Sequence, residues 1–452
     1  MKLLMISLGC DKNLVDSENM MGLIASKGFE FTDDEKEADV IVVNTCCFIG
    51  DAKEESVETI LQMAENKVEN GGNCKALIVS GCLAQRYFEE MKLEIPEVDA
   101  VIGTNSTDKI VDAIEGALNK NSNKDNSDCV YIEKLTGLPT FTTKRLVTTG
   151  GHYAYLKIAE GCNKRCTYCI IPKLRGVYRS VPMQQLIDEA KRLSDEGVKE
   201  LILVAQETTL YGVDLYGKKS LPELLEKLSE IEGIKWIRIL YAYPEEITDE
   251  LIDTMAKLDK VCNYIDMPIQ HASDTILKKM GRFTTKEDVE SIVKRLRDKI
   301  PDIAIRTTLI TGFPSETEED HEEMMQFVND CEFDRLGVFT YSLEEDTKAA
   351  TFDNQIDENV KIERRNAVME LQQEIVFEKN EEMAGRVLSV FIEGKLPEDD
   401  IYAGRTYMDA PGVDGLIFIK ATRELMSGDI VLAKVTGANE YDLIGEMIDE
   451  PA

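Results

Sequence analysis

Residues 161–169 have the sequence GCNKRCTYC, in which Cys162, Cys166 and Cys169 follow the spacing CxxxCxxC. Thiolates are soft ligands that suit iron–sulfur clusters. Three such cysteines can bind three irons of a four-iron cluster and leave the fourth iron open to another ligand. A zinc knuckle is an alternative, but it needs a fourth cysteine or histidine nearby. Three buried cysteines crowded by chance are the other alternative.

This cysteine motif follows the first of six predicted strands that alternate with helical segments rich in Lys and Glu. The strands are predicted at His152–Ala159, Glu200–Ala205, Trp236–Ala242, Tyr264–Pro268, Ile303–Ile310 and Arg335–Thr340. Such a series predicts a partial or full β/α barrel, a fold that carries its sites at the carboxyl ends of the strands. The motif is therefore expected at the functional end of the barrel.

The first 120 residues contain another alternation of strands and helices, which predicts a parallel sheet covered by helices. Its strands are predicted at Lys2–Leu8, Val40–Asn44, Ala76–Ser80 and Ala100–Gly103. Cys10, Cys46 and Cys82 each follow one of these strands, at intervals of 36 residues. Because the carboxyl ends of parallel strands lie along one edge, we expect these thiols to form a second three-cysteine metal site. Three structural cysteines at strand ends are the alternative.

Cys47 is adjacent to Cys46 and is an alternative candidate for the third ligand of this metal site. Successive side chains of an extended chain point in opposite directions, so only one of the two thiols is expected to face the site. We choose Cys46 because it occupies the same position after its strand as Cys10 and Cys82.

The last 73 residues contain short alternating segments broken by Gly, Pro and Asp, which predict a small antiparallel β-barrel. The segments are Val387–Ile392, Ile401–Arg405, Leu416–Ile419, Ile430–Val435 and Leu443–Ile448. The fold class is therefore α/β with an appended barrel. The predicted domains are residues 1–120 with the parallel sheet, a linker at 121–147, the β/α barrel at 148–378, and the terminal barrel at 380–452. A polar loop at 119–128 marks the boundary between the first domain and the linker.

The chain of 452 residues carries 52 Lys and Arg against 85 Asp and Glu, a net charge of −33. This charge disfavours nucleic acid as a partner and favours a basic protein. Eleven cysteines without a clear export signal are atypical of a disulfide scaffold. The first residues, MKLLMISLGCD, fit a first strand better than a signal peptide, and no apolar run reaches the roughly 18 residues of a membrane span. We expect a cytoplasmic protein with no membrane partner.

Four segments together closely resemble the methylthiotransferase family of radical S-adenosylmethionine enzymes, over nearly the whole chain. They are SLGCDKNLVDSE, VVNTCCFIGDAKEESVETI, SGCLAQRY and GCNKRCTYC. The resemblance implies two 4Fe–4S clusters, S-adenosylmethionine and a terminal barrel of the TRAM type. It also implies that the catalytic cluster on Cys162, Cys166 and Cys169 produces a radical, and that the cluster on the amino-terminal cysteines carries the sulfur. Cys47 departs from the family, in which a glycine is expected.

The resemblance further suggests residues that bind S-adenosylmethionine. Tyr168 matches an aromatic position near the adenine, and Gln206 and Glu207 are candidates for binding the methionyl amino group. Arg306 and Gly312 are weaker candidates, the latter for close approach of the backbone to the adenine. For each of these residues, loop packing or helix capping is the alternative interpretation.

Two branches of the family differ in substrate. GCDKNLVDSE and CFIGDAKEES resemble the branch that modifies the β-carbon of an aspartate in small-ribosomal-subunit protein twelve. The terminal barrel has 6 basic and 15 acidic residues from Asn380 onward, a charge of −9, which suits a basic ribosomal protein and not tRNA. A tRNA adenosine methylthiotransferase is the alternative within the family. A non-catalytic electron carrier is a further one, although it would supply a fourth cysteine to each cluster. The expected electron donor is a protein such as flavodoxin or ferredoxin.

Overall fold

The computed structural model describes residues 1–123, 129–397 and 400–448, without the side chains of 120–123. The chain divides into two compact units. The first unit comprises residues 1–148, 159–181 and 342–350, and the second comprises residues 149–158, 182–341 and 351–452. The segment with the CxxxCxxC motif therefore belongs to the same unit as the amino-terminal sheet.

The strands and helices are numbered in chain order. The strands are β1 Lys2–Ser7, β2 Glu30–Phe31, β3 Val40–Thr45, β4 Ala76–Gly81, β5 Ala100–Ile102, β6 Val130–Tyr131, β7 Tyr153–Lys157, β8 Ala159–Glu160, β9 Arg179–Ser180, β10 Glu200–Val204, β11 Trp236–Ile239, β12 Val261–Asp266, β13 Ala304–Thr311, β14 Arg335–Thr340, β15 Val387–Lys395, β16 Ile401–Arg405, β17 Ile417–Lys420, β18 Ile430–Asn439 and β19 Asp442–Met447. The helices are α1 Asp11–Ser26, α2 Gly50–Ala64, α3 Cys82–Glu94, α4 Ile110–Asn123, α5 Ile171–Arg175, α6 Met183–Asp195, α7 Val213–Tyr216, α8 Leu221–Ser229, α9 Asp249–Lys257, α10 Asp274–Met280, α11 Lys286–Lys299, α12 Glu318–Cys331 and α13 Glu358–Glu382.

The first unit is built on a parallel sheet with the strand order β2-β1-β3-β4-β5-β6. Alternate residues of β3 and β4 enter two different apolar clusters. One cluster takes Ile41, Val43, Leu77 and Val79, and the other takes Val40, Val42, Ala76 and Ile78. Both faces of these strands are therefore buried, which explains their nearly continuous apolar sequences. The predicted parallel sheet is confirmed.

The second unit contains a parallel sheet in the order β14-β13-β12-β11-β10-β7, which follows the chain. All six strands predicted for this region are present. The fold agrees with the predicted β/α architecture in its partial form. Short helices such as α8 and α9 bury leucine-rich faces, in keeping with their amphipathic sequences.

The terminal barrel is closed, with the order β15-β16-β17-β19-β18, and it belongs to the second unit. The prediction of a wholly antiparallel barrel was wrong in one pairing, because β17 and β19 run parallel. The other pairings are antiparallel. Val390 and Ile417 of the barrel share an apolar cluster with Ile202 and Tyr264 of the sheet, so barrel and sheet have a common core.

The fold differs from the predicted local structure in two places. The loop predicted from residue 119 was wrong for residues 119–123, which continue α4, whereas residues 124–128 of that loop lie outside the described residues. The helix α13, 25 residues long, was not predicted. Within the described ranges, no helix is long and apolar enough to cross a membrane.

Candidate metal centres

Three neighbouring strands bring the amino-terminal cysteines to one edge of the first sheet. In the pairing of β3 with β4, Thr45 lies opposite Gly81, so Cys46 and Cys82 both follow the last aligned pair. Strand β1 is the neighbour of β3 on its other side, and Cys10 follows it immediately before α1. We call Cys10, Cys46 and Cys82 the strand-end triad.

Glycines allow the strand-end loops to approach one another. Gly9 and Gly81 have φ values of +85° and +93°, which side-chain-bearing residues rarely adopt. A Cβ atom at Gly9 would lie 2.6 Å from Cβ of Cys46, and one at Gly81 would lie 2.4 Å from Oδ1 of Asn44. Both positions therefore require glycine for two separate reasons, backbone conformation and space.

Helix ends and burial act on these thiols in opposite directions. Cys82 is the first residue of α3, and the amino end of a helix favours a thiolate. Burial raises the pKa of Cys46 to about 12, and it also raises the pKa of Cys82. Without a metal, the Cys46 thiol therefore keeps its proton at neutral pH.

A buried hydrogen-bond network fixes the backbone at the strand ends. Nδ2 of Asn13 donates to the carbonyl oxygens of Leu8, at 3.0 Å, and Thr45, at 2.9 Å. The backbone N of Cys46 donates to Oγ of Ser56 at 3.1 Å, and that hydroxyl donates to the Cys46 carbonyl at 2.9 Å. Asn13 and Ser56 were not among the predicted site residues, although both lie in the segments that contain Cys10 and Cys46.

The environments of the two adjacent thiols differ. Cys47 is fully buried and packs in the apolar cluster that includes Ile41 and Leu77. Burial raises its pKa well above the ordinary value of a thiol. Cys46 lies outside that cluster, and its Sγ lies against Gly9, the residue before Cys10, at 2.9 Å from the position of a Cβ there.

The CxxxCxxC motif lies in a loop between the paired strands β8 and β9. The backbone N of Cys162 donates to the Gly176 carbonyl at 3.1 Å, and the N of Cys169 donates to the Cys166 carbonyl at 3.1 Å. Gly161 has φ +78°, and a Cβ there would lie 2.2 Å from the Val177 carbonyl oxygen. We call Cys162, Cys166 and Cys169 the loop triad.

The residues proposed to contact S-adenosylmethionine lie in both units. Tyr168 belongs to the first unit and is half-buried within the loop triad. Gln206 and Glu207 belong to the second unit and follow β10, as predicted. Glu207 is fully buried, and its Oε1 accepts a hydrogen bond of 2.9 Å from the backbone N of Thr209.

Local contacts account for the two weaker candidates in the second unit. Arg306 pairs with Oδ1 of Asp266 at 2.9 Å and with Oδ1 of Asp414 at 3.3 Å. Gly312 has φ +72°, and a Cβ there would lie 2.1 Å from Cγ of Lys361. The packing against Lys361 alone requires glycine at this position, and the two carboxylates explain the arginine.

Three family models match separate parts of the chain. Residues 156–328 match the model of the radical SAM superfamily, residues 2–103 match the uncharacterized protein family UPF0004, and residues 384–448 match the TRAM domain. A protein of Lachnoclostridium phytofermentans named ribosomal protein uS12 methylthiotransferase RimO is 61% identical over 445 residues, covering 98% of this chain and 99% of that protein. The chain belongs to the RimO family.

Other relatives extend this result. A RimO protein of Clostridioides difficile is 50% identical over the full length of both chains. Among solved structures, the radical S-adenosylmethionine methyltransferase TsrM of Kitasatospora setae is 13% identical, with a TM-score of 0.53 over 75% of this chain and 72% of that one. At that identity TsrM supports the fold alone. As a member of the RimO family, the chain is a radical S-adenosylmethionine methylthiotransferase.

Membership of the RimO family implies a 4Fe–4S cluster and S-adenosylmethionine. Within residues 1–123, 129–397 and 400–448, no three His, Cys, Asp or Glu side chains come close enough to hold a metal ion as they stand. The donor chemistry nevertheless fits a cluster, since each triad offers three thiols, and glycines beside the triads let the segments that carry the thiols approach closely.

Proposed function

We propose that this enzyme adds a methylthio group to the β-carbon of an aspartyl residue of the ribosomal protein uS12, using two 4Fe–4S clusters. The relatives with 61% and 50% identity are named for uS12, and the chain covers nearly their whole length. The observation that carries the two-cluster proposal is that both cysteine triads belong to the first unit. Because the substrate is a ribosomal protein, we propose the cytoplasm as the site of action.

The two triads have different roles in this proposal. Cys162, Cys166 and Cys169 hold the cluster that binds S-adenosylmethionine, and Cys10, Cys46 and Cys82 hold the second cluster. When bound, these groups supply the electron that cleaves S-adenosylmethionine to a radical and the sulfur that is transferred. A C–H bond of an aspartyl side chain is unactivated, so a radical and a nearby sulfur donor are both needed.

The chain's own residues orient the reactants. In the proposal, Tyr168 packs against the adenine, and Gln206 and Glu207 bind the methionyl amino group. The burial of Glu207 supports this assignment, because a buried carboxylate pairs strongly with an ammonium group. Arg306 in β13 and Gly312 directly after it are weaker candidates for the same site, because their contacts with neighbouring side chains already account for both residues.

The proposed domains are residues 1–120, 148–378 and 380–452, with a linker at 121–147, and the three matched family models fall within them. The charge of −9 on the terminal barrel supports docking of a basic protein such as uS12, because opposite charges accelerate and orient association. A reducing protein such as flavodoxin or ferredoxin completes the proposed set of partners.

Anaerobic reconstitution with iron and sulfide tests the cluster count. We expect about eight irons per chain, and about four would contradict the second cluster. The C331A variant is a matched control, since Cys331 is a buried cysteine at the end of α12, outside both triads. It is expected to keep all eight irons.

Mass spectrometry tests the substrate. The reconstituted enzyme is incubated with S-adenosylmethionine, dithionite and either uS12 or tRNA. We expect a gain of one methylthio group on an aspartyl residue of uS12 and no gain on tRNA. A methylthio group on tRNA alone would overturn the proposal.

A further inference from the structure

Arg175 is a buried arginine that follows the loop triad. It is the last residue of α5, six positions after Cys169, and only 2% of its surface is exposed. Its Nη1 donates to Oδ2 of Asp16 at 2.7 Å and to Oε2 of Glu160 at 3.2 Å. Its Nη2 donates to Oδ1 of Asn13. A planar guanidinium can meet several acceptors in this way, whereas an ammonium group is a single point of charge.

The partners of Arg175 come from the segments that carry the two triads. Asn13 and Asp16 lie in the first two turns of α1, directly after Cys10. Glu160 lies in β8, two residues before Cys162. One guanidinium therefore links the segment of the loop triad to that of the strand-end triad, within a single unit.

The guanidinium also acts on the strand-end triad. Its partner Asn13 bonds the carbonyls of Leu8 and Thr45 at the strand ends, and its charge opposes the rise that burial causes in the pKa of the Cys82 and Cys46 thiols. Because the surroundings are buried, this charge acts more strongly than it would in water. Asp16 and Glu160 hold the charge in place and satisfy its other N–H groups.

We propose that Arg175 is a positioning residue that fixes the loop triad against the strand ends and keeps a positive charge beside the cluster held by Cys10, Cys46 and Cys82. This inference rests on the proposed second cluster. Reduction makes a cluster more negative, and nearby charge and hydrogen bonds to its sulfurs set its reduction potential. The positive charge therefore raises the reduction potential of the strand-end cluster.

The test uses the full chain with Cys162, Cys166 and Cys169 changed to alanine, so that the strand-end cluster alone is titrated. Its reduction potential is measured by EPR during an anaerobic titration with dithionite. In this background R175M is expected to lower the reduced-to-oxidised ratio at a given potential about tenfold, which corresponds to about 59 mV for one electron. R175K keeps the positive charge but lacks the several N–H donors of the planar guanidinium. We therefore expect it to lower the reduction potential by a smaller amount than R175M does.

The matched control is R179M. Arg179 is a buried arginine in β9 whose N–H groups donate to the carbonyls of Leu135, Val177 and Arg175. Its replacement disturbs the same loop without removing the charge beside Cys82, so the potential is expected to stay at the parental value. Cluster content is measured in every variant.

The outcomes separate this inference from the proposed function. If the parental triple variant binds no iron, the second cluster itself is wrong. If iron is bound but R175M and R175K have the parental potential, or if R179M shifts as far as R175M, the role of Arg175 is wrong. If R175M does not fold, R175Q takes its place, because it removes the charge and keeps two N–H donors, and an unchanged potential in R175Q contradicts the role of the charge.

Discussion

The two cysteine triads reach their positions in different ways. The strand-end triad spans 73 residues of sequence, and three parallel strands bring its members to one edge. The loop triad spans eight residues, and one loop between β8 and β9 carries it. The first triad therefore depends on the register of a whole sheet, whereas the second depends on local backbone hydrogen bonds.

This difference determines how each triad responds to change. A strand-end triad is lost when the strands shift or their loops separate, even if every cysteine remains. A local triad survives such changes, because the spacing along the chain keeps its thiols together. Variants of the sheet edge should therefore separate the two sites.

The largest expected effects come from the cysteines themselves. We expect C166A to abolish formation of 5′-deoxyadenosine, since the loop triad would lose a ligand. C82A is expected to leave that cleavage partly intact and to stop methylthiolation of uS12. Chromatography of 5′-deoxyadenosine and mass spectrometry of uS12 measure the two activities. Continued cleavage in C166A, or continued sulfur insertion in C82A, would contradict the division of roles.

A substitution at the sheet edge is expected to remove one cluster without touching a ligand. G81A places a Cβ 2.4 Å from Oδ1 of Asn44 and strains a backbone with φ +93°, at a cost of about 1–3 kcal/mol. We expect bound iron to fall from about eight to about four per chain, with the loop cluster retained.

G28A is the matched control for G81A. Gly28 has φ +81°, but a Cβ there meets no atom within 4 Å among the described residues. It therefore reproduces the backbone strain without the close approach. Equal loss of iron in both variants would mean that strain, and not crowding at the strand ends, disrupts the triad.

The strands were predictable because the burial of each strand produces a short, recognisable pattern of apolar residues in the sequence. The predicted Ile401–Arg405 and Arg335–Thr340 coincide with β16 and β14, and β3 extends one residue beyond its predicted end. The helix α13 was missed because its apolar residues form no strong stripe along its 25 residues. The parallel pairing of β17 with β19 depends on how the barrel closes, which no local pattern specifies.

The strand-end triad was predictable because the same local pattern, a cysteine after a strand, occurs three times in the sequence. Each cysteine of the strand-end triad follows a strand, so their common edge could be inferred before the register was known. The contacts of Arg175 join residues 162 positions apart in the sequence, as with Asn13. Such a network arises only in the folded chain, and periodicity does not reveal it.

A smaller effect is expected from the hydrogen bonds behind the strand ends. N13A removes the bonds donated to the carbonyls of Leu8 and Thr45 and the bond accepted from Arg175, so we expect a loss of about 1–3 kcal/mol in stability. Urea unfolding of the apoprotein measures the loss, and iron analysis should show preferential loss of the strand-end cluster.

The control for N13A lies on the same helix. Asn19 donates one bond of 2.9 Å to the Val15 carbonyl, and N19A is expected to change stability by less than about 0.5 kcal/mol. If N19A lowers stability and iron content as much as N13A, the network at the strand ends has no special role.

The smallest effect is expected at Cys47, where the choice between two adjacent thiols is tested. Its side chain packs in an apolar cluster, so C47A removes one buried sulfur and is expected to cost about 1 kcal/mol in stability while leaving both clusters. C46A removes the same atom from the neighbouring residue, yet it should remove about four irons. Because the two variants differ by one position in the chain, any general effect of losing a thiol cancels between them. If C46A keeps all of its iron and C47A loses iron, then Cys47 is the cluster ligand and Cys46 is the structural cysteine.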